Sequence, residues 1–460
     1  MQKKLLSLVG LVLMAGCAVG PDYERVELDI GDQFAHATAA DQSAWLPFIA
    51  VDEQGAGQWW RLFNDDTLNQ WITQLHTANA DLAQAEARYR QAQAALQQAQ
   101  AGFFPSLGLN TSGQRSGSGQ SSPTDQYNLS ASASWEPDLW GRVRRSVESS
   151  DANVTASAAD VLATRLSLES TFVQSYFQAK SVRAAQQLYD QTITAYARSL
   201  QMTQERLAVG MVSPADVAAA ESQLENARTQ RLALDRQWGQ LRNAMAVLLG
   251  QAPVQFELAV DATLMALPTV PTGLPAQLLA RRPDVAAAER RVAAANAQIG
   301  VAKTAWLPNL TLSAQGGYRS GSWADWISAP ARFWSLGPAL ALTLFDGGAR
   351  TARVAEATAA YDAQAAAYKQ TVLAALREVE DNLVQWHGLQ REFSSQQRAL
   401  NAARQSLQLT RNQYEAGLID YLSVMQVEAN ALSAERSLLN MQSELFITAA
   451  KLISSLGGRW

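Results

Sequence analysis

Residues 81–109, DLAQAEARYRQAQAALQQAQAGFFPSLGL, return 203 positions later as residues 284–312, DVAAAERRVAAANAQIGVAKTAWLPNLTL. The two stretches align without a gap, matching Asp81 with Asp284, Arg88 with Arg291, Ala92 with Ala295, Pro105 with Pro308 and Leu107 with Leu310. Self-similarity over such a span marks a duplication, and the match runs across a helix-to-strand junction. A second pair, RLAVGMVSPADV (206–217) and QYEAGLIDYLSV (413–424), aligns Gly210 with Gly417 and Val217 with Val424 at an offset of 207. Each half therefore reads helix, strand, loop, strand, long helix, tight turn, helix. The first repeat is expected at 61–250, with strands near 106–114 and 127–136 and a tip hairpin at 208–216. The second is expected at 284–457, with strands near 309–318 and 335–345 and a hairpin at 415–423. Residues 251–283 join the repeats and 458–460 form a tail.

The strands carry a membrane signal. Tyr127, Leu129, Ala131, Ala133 and Trp135 alternate with Asn128, Ser130, Ser132 and Ser134. Leu310, Leu312, Ala314 and Tyr318 alternate with Thr311, Ser313 and Gln315, while Leu107 with Leu109 and Leu336 to Leu344 mark two further segments. Period-two alternation of apolar and small polar residues is what the wall of a water-filled barrel needs. From Tyr127 to Trp135, and across the other three expected segments, there is no charge, and Tyr127, Trp135, Tyr318, Trp334 and Phe345 fall near the segment ends, where aromatic girdles sit. Pro338 cannot donate to a ladder and is expected at a rim or bulge. A soluble sandwich face would show the same alternation. Four strands cannot close a pore, since barrels of this kind start at about eight, so the chain must associate, with dimer, trimer and tetramer all open.

The helices on either side are long. No proline or glycine occurs between Arg142 and Leu207, and only Gly388 interrupts Ala349 to Ala416; at 1.5 Å per residue each would reach roughly 100 Å. Val379, Trp386, Phe393, Leu400, Leu407 and Tyr414 recur every seven residues, as do Ile193, Leu200 and Leu207, which implies left-handed coiled-coil packing. Gly210 and Gly417 suit the left-handed residue that ends a helix. Ser213 is placed to cap the next helix, with Pro214 first in it and Asp216 completing a capping-box arrangement; Asp420 takes the capping part in the second half. Met211, Val212, Leu418 and Ile419 are then apolar residues at a hairpin tip, which marks a partner surface.

Composition narrows the function class. The chain has 460 residues, 48% hydrophobic and 17% charged, with 37 basic against 42 acidic side chains and no basic block, which argues against nucleic acid as a partner. Its three histidines are scattered and its single cysteine is Cys17, so there is no disulfide pair and no Cys/His metal-ligand spacing. Lys3 and Lys4, an apolar run from Leu5 to Ala15, and the small residues Ala15 and Gly16 before Cys17 make residues 1–16 an export signal. LMAGC resembles the bacterial lipobox, which implies cleavage before Cys17 and its lipidation; Ala18, where no aspartate stands, implies transit to the outer membrane. Beyond the signal no apolar run approaches the roughly 20 residues of a membrane helix, so any spanning part must be β-barrel.

Taken together, CAVGPDY (17–23), WWRLFNDDTLNQW (59–71), FFPSL (103–107), DLWGRVRR (138–145), RRPDVAAAERR (281–291) and LFDGGAR (344–350) resemble the TolC family of outer-membrane efflux proteins, in its lipoprotein (NodT-like) branch. The resemblance spans essentially the whole chain. It implies a mainly α fold with transmembrane β: a homotrimer with a twelve-stranded barrel continued by a long periplasmic α-helical barrel, residues 17–60 and 251–283 lying at the tunnel's waist. The partners it implies are a periplasmic adaptor and an inner-membrane pump, with outer-membrane lipid around the barrel and no cofactor besides the lipid on Cys17. It places a gate at the hairpin tips. Tyr414 and Asp216 match a tyrosine–aspartate tie, Leu422 matches an apolar constriction, and Asp420 is a further charged candidate. Gly210, Met211, Val212, Gly417, Leu418 and Ile419 match adaptor contacts. Two positions depart from the family pattern: Ile419 stands where some members have a gate arginine, and Gln426 where many have a lumenal acid. Each gate candidate also has a plain structural role, Tyr414 and Leu422 in packing and Asp216 at a helix start.

The reading is a passive exit duct for drugs or other small solutes, with a protein-secretion or metal-ion duct of the same architecture as the alternative. No phosphate-binding loop and no Ser/His/Asp or paired-acid spacing points to an enzyme. A coiled-coil spacer of the envelope has no use for the alternating strands.

Overall fold

The computed structural model describes residues 18–28, 34–36, 57–119, 122–262 and 282–458. The signal sequence, Cys17, much of the 17–60 segment, most of the 251–283 segment and the last two residues of the 458–460 tail lie outside the described residues. Among these residues a 3-10 turn (Trp59–Phe63) leads into α1 (Asp66–Ala78), α2 (Ala80–Ala101), β1 (Ser106–Ser116), β2 (Thr124–Trp135), α3 (Arg142–Ala208) and α4 (Pro214–Leu248). The second half supplies α5 (Pro283–Thr304), β3 (Asn309–Ser320), β4 (Arg332–Ala341), α6 (Ala349–Glu415) and α7 (Tyr421–Ser455). The duplication holds to the residue in its helices: α2 and α5 have 22 each, α3 and α6 have 67, and α4 and α7 have 35.

Two compact units divide the chain. The first, holding the sheet, gathers residues up to 28 with 86–159 and 286–371; the second, holding both hairpins, gathers 29–85, 160–285 and 372–460.

In the first unit the strands form one antiparallel sheet in the order β1-β2-β3-β4, so the two repeats join at β2–β3. The observed strands run further toward the loops than the alternation indicated and take in Arg115, Asp125, Arg319 and Arg332. The charge-free segments are therefore only the inner parts of the strands, and charge begins where a strand leaves the apolar band. β4 ends at Ala341, so Phe345 lies beyond it. Pro338 is at neither a rim nor a bulge: it pairs with Leu312 in an unbroken register. β4 is an edge strand of this sheet, where alternate N–H groups face away from the single neighbour. Small residues let the flanking segments approach closely. A Cβ on Gly20 would stand 2.5 Å from the Gly300 Cα, and Ala152, Ala293 and Ala294 pack together under Tyr23.

In the second unit α1 buries Leu68, Ile72 and Leu75, and Phe63 and Phe446 close on Phe177 at ring distances of 4.8 and 4.7 Å. Asp65 caps α1 by accepting the N–H groups of Thr67 and Leu68. Its other carboxylate oxygen accepts from Tyr176 Oη at 2.6 Å and Lys180 Nζ at 2.9 Å, and Lys180, itself buried, also reaches Asp261 at 2.8 Å. A buried charge is tolerated only when paired in this way. The fully buried seam lies in a neighbouring seven-residue register: Val182, Tyr189, Tyr196 and Thr203 are buried, whereas Ile193 and Leu200 of the expected series are half-buried against the same cluster, with Leu224, Ala227 and Leu234 of α4 facing them. In α6, Val379, Trp386 and Leu400 are buried in the same way.

Candidate functional site

Two surfaces carry the functional geometry, one in each unit. The first is the sheet, whose register sorts its residues into two faces. Leu107 stands opposite Ala133, Leu109 opposite Ala131, Ala131 opposite Gly316, Trp135 opposite Leu312, Ala314 opposite Leu336 and Gly316 opposite Trp334. All of these lie on one face, because directly paired residues share a side. This face turns its large side chains to the exterior of the chain: Leu107 is 83% exposed and Trp334 82%. The opposite face carries Ser132, Ser134, Asn128, Gln315 and their neighbours, with Gln315 and Asn128 both hydrogen-bonded to Ser130 Oγ. Aromatic side chains bracket the apolar band. At the loop end Tyr127, Trp323 and Trp326 cluster at 4.9 to 6.1 Å. At the helix end Phe103, Phe104, Trp135 and Trp306 are exposed, Trp135 Nε1 donating to the Phe103 carbonyl at 3.0 Å. An exposed apolar band between two aromatic belts, backed by a polar face, is the surface of a transmembrane barrel segment.

The strand-to-helix junctions explain two of the sequence motifs. In DLWGRVRR, Asp138 accepts the N–H groups of Val143 and Arg144 at 2.9 Å. In LFDGGAR, Asp346 accepts those of Gly348 and Arg350 at 3.1 and 3.0 Å, with Gly347 and Gly348 at positive φ. Each long helix thus starts on an acid that satisfies its free donors and complements its dipole. Residue 18 belongs to this level, since the Val19 N–H donates to the Trp140 carbonyl at 3.2 Å and Gly141 faces Ala18 closely. Arg145, buried, holds the following residues through the Val19 and Gly20 carbonyls and Asp22, the last at 2.7 Å.

The second surface is the pair of hairpin tips. Both helices end on the same backbone device. Gly210 N–H donates to Leu207 O at 2.9 Å and Met211 N–H to Arg206 O at 2.9 Å; Gly417 donates to Tyr414 O at 3.0 Å and Leu418 to Gln413 O at 2.9 Å. These are paired Schellman closures with the glycine at φ 74° in each. The next helices are capped as the sequence indicated. Ser213 and Asp216 form a capping box at α4, and Asp420 accepts from the Ser423 N–H and hydroxyl at α7. These hydrogen bonds hold the Asp420 carboxyl below the usual range. Met211 and Leu418 are 75% and 74% exposed, while Val212 and Ile419 are half-buried. Ile419 packs with Tyr414 around Ala220, Tyr421, Val424 and Met425. Leu422, 57% exposed, and Gln426 line a groove of about 570 Å³ with Tyr189, Tyr196, Gln230 and Arg436.

The tie differs from expectation. Tyr414 is held by Arg206, which donates to its hydroxyl and lies over its ring at 4.9 Å. Asp216 is occupied by the Ser213 N–H and hydroxyl, both at 2.8 Å, and no hydrogen bond joins it to Tyr414. Beneath this pair Tyr421 is buried, which raises its hydroxyl pKa, and shares a hydrogen bond with Ser199. Arg206 was missed because an arginine in the last turn of a helix reads as a dipole partner.

The comparisons with known proteins agree with this geometry. The family model described as outer membrane efflux protein matches residues 71–251 and 274–458. The chain is 29% identical over 473 residues to the probable efflux pump outer membrane protein TtgC of Pseudomonas putida KT2440, covering 100% of this chain and 96% of that protein. It is 27% identical over 458 residues to the cation efflux system protein CusC of Escherichia coli K12, covering 99% of each. The solved outer-membrane channel OprN superposes with a TM-score of 0.85 at 32% identity, over 96% of this chain and 100% of that one. With paired helical hairpins, a barrel-type sheet and a family match across both repeats, this chain belongs to the outer membrane efflux protein family.

Proposed function

We propose that three copies of this chain form a passive exit duct of a tripartite efflux pump, taking drugs or other small solutes from a periplasmic adaptor and inner-membrane pump to the exterior. The observation that carries the reading is the two-faced sheet, apolar outward and polar on the other side, whose edges β1 and β4 are unpaired among the described residues. Four such strands need further strands to close, and three copies supply twelve, above the minimum of about eight. Within this reading the tips meet the adaptor through Met211, Val212, Leu418 and Ile419 around Gly210 and Gly417, while Tyr414, Leu422 and Asp420 border the aperture. Asp216 serves the hairpin from its cap. Energy comes from the pump, and opening needs a partner that binds the dilated tip more tightly than the closed one.

We further propose that the chain is lipidated on Cys17. The next residue, Ala18, lies at the strand-to-helix junction beside Gly141, the level at which acyl chains would enter the inner leaflet. Several chains at one residue give stable attachment where a single one is marginal.

Metal-ion export is the second reading, favoured by the likeness to a protein named for cation efflux. Loss of the gene separates the two, drug sensitivity supporting the first and sensitivity to a metal ion such as copper the second. The duct itself is tested by single-particle imaging of the full, detergent-solubilised protein. A threefold hollow particle is expected, and a solid rod or a particle without a lumen overturns the proposal.

A further inference from the structure

The polar face of the sheet carries a single ionisable side chain. Followed through the register, that face is built of serine, threonine, asparagine, glutamine, glycine and alanine, with two departures, Arg319 on β3 and Phe333 on β4. They belong together, since the Arg319 guanidinium lies 4.7 Å from the centre of the Phe333 ring. Arg319 is the penultimate residue of β3 and so stands at the loop end. The other strand charges at that end lie on the apolar face. Arg115 is paired across the ladder with Asp125 at 3.6 Å, and Arg332 stands opposite Tyr318. Among the described residues Arg319 has no carboxylate partner, and none of the polar-face residues is an acid.

This arrangement has a consequence if the polar face lines a lumen, and here the inference rests on the duct reading above. Three copies then bring three guanidiniums to one ring at the outer mouth, with nothing of opposite sign on the wall. A guanidinium stays charged at any working pH and offers several donors at once. Stacking on Phe333 holds it against the wall, where it would otherwise swing out toward the loops. Rings of like charge set the sign of the ions that a pore favours, and a narrow channel with low-dielectric walls strengthens the field. We infer that Arg319 from three copies forms a binding site for polyvalent anions at the loop-side mouth, which favours solutes bearing phosphate or several carboxylates at the last step of exit.

The test is a planar-bilayer recording of the full-length protein with inorganic tripolyphosphate added to each side in turn. Tripolyphosphate is expected to block the current from one side in a voltage-dependent way. Arg319→Gln should raise the half-blocking concentration by about tenfold or more, because the charge-assisted donors are gone from every copy. Arg319→Lys, which keeps the charge, should retain most of the block, and Arg115→Gln, on the other face, should leave it unchanged. Conducting channels whose block is the same in Arg319→Gln, or lost equally in Arg115→Gln, overturn the inference and leave the duct standing. Failure of the unmodified protein to conduct at all overturns the duct reading and this inference together.

Discussion

The Arg206 guanidinium both donates a hydrogen bond to the Tyr414 hydroxyl and lies over the Tyr414 ring at 4.9 Å, joining the last turn of α3 to the last turn of α6. The two residues sit four and three positions before the glycines that close their hairpins, so the bond fastens one tip to the other. A partly exposed bond to a charged group is worth about 1 kcal/mol, but three copies would act on one aperture. Arg206→Ala and Tyr414→Phe are each expected to raise basal single-channel conductance several-fold in bilayers. Asp216→Asn should leave conductance near that of the unmodified protein, because its carboxylate serves the Ser213 cap. If Asp216→Asn opens the channel and Arg206→Ala does not, the tie belongs to the aspartate after all.

Neighbouring positions on β1 separate the two faces. Leu109 lies on the apolar face opposite Ala131, and Asn110 on the polar face opposite Ser130. A lysine facing lipid near mid-strand costs about 2–4 kcal/mol, while a lumenal one is tolerated. Leu109→Lys should therefore reduce the yield of assembled oligomer in outer-membrane extracts, and Asn110→Lys should assemble normally. Equal yields of the two variants would mean that the face assignment is reversed or that the sheet does not span.

What the sequence disclosed and what it hid follow one physical rule. Local signals were legible: the two 67-residue helices from the absence of proline and from the single glycine, Gly388, between them, Gly210 and Gly417 from helix termination, the Ser213 and Asp420 caps from hydroxyl and acid placement. Strand ends were read short because Arg115, Asp125, Arg319 and Arg332 look like loop residues, although the ladder continues through them. Partnerships across long separations were not legible. Nothing local tells that Arg206 meets Tyr414 208 positions away, or that Asp65 meets Tyr176 and Lys180 at separations of 111 and 115.

Placement of Ala18 against Gly141 bears on the lipid. The mature protein is expected to start at Cys17 and to incorporate labelled palmitate, and Cys17→Ser should lose the label entirely. Because the sheet supplies its own apolar band, Cys17→Ser behind a standard cleavable signal should still fractionate with the outer membrane. Label retained in Cys17→Ser would place the acyl group on another residue and overturn the Cys17 assignment, and no label in the unmodified protein would remove the case for a lipoprotein.

The buried clasp of Asp65, Tyr176 and Lys180 gives the molecule an acid limit. Burial alone would raise the Asp65 carboxyl, but hydrogen bonds from Tyr176, Lys180 and the Leu68 N–H outweigh it and hold the group below its usual range. A carboxyl depressed in the folded state stabilises at pH above its unfolded value of about 4, and that contribution fades as pH falls through the folded value. Asp65→Asn removes one partner of a buried pair, a loss of about 3–5 kcal/mol. Asp261 remains on Lys180 at 2.8 Å, which puts the variant at the low end of that range. Unfolding midpoints in detergent should therefore fall for Asp65→Asn at pH 7, with the gap to the unmodified protein narrowing below about pH 4. A gap that stays constant from pH 7 to pH 3 would show that Asp65 acts through its size and its α1 cap, with no contribution from its charge.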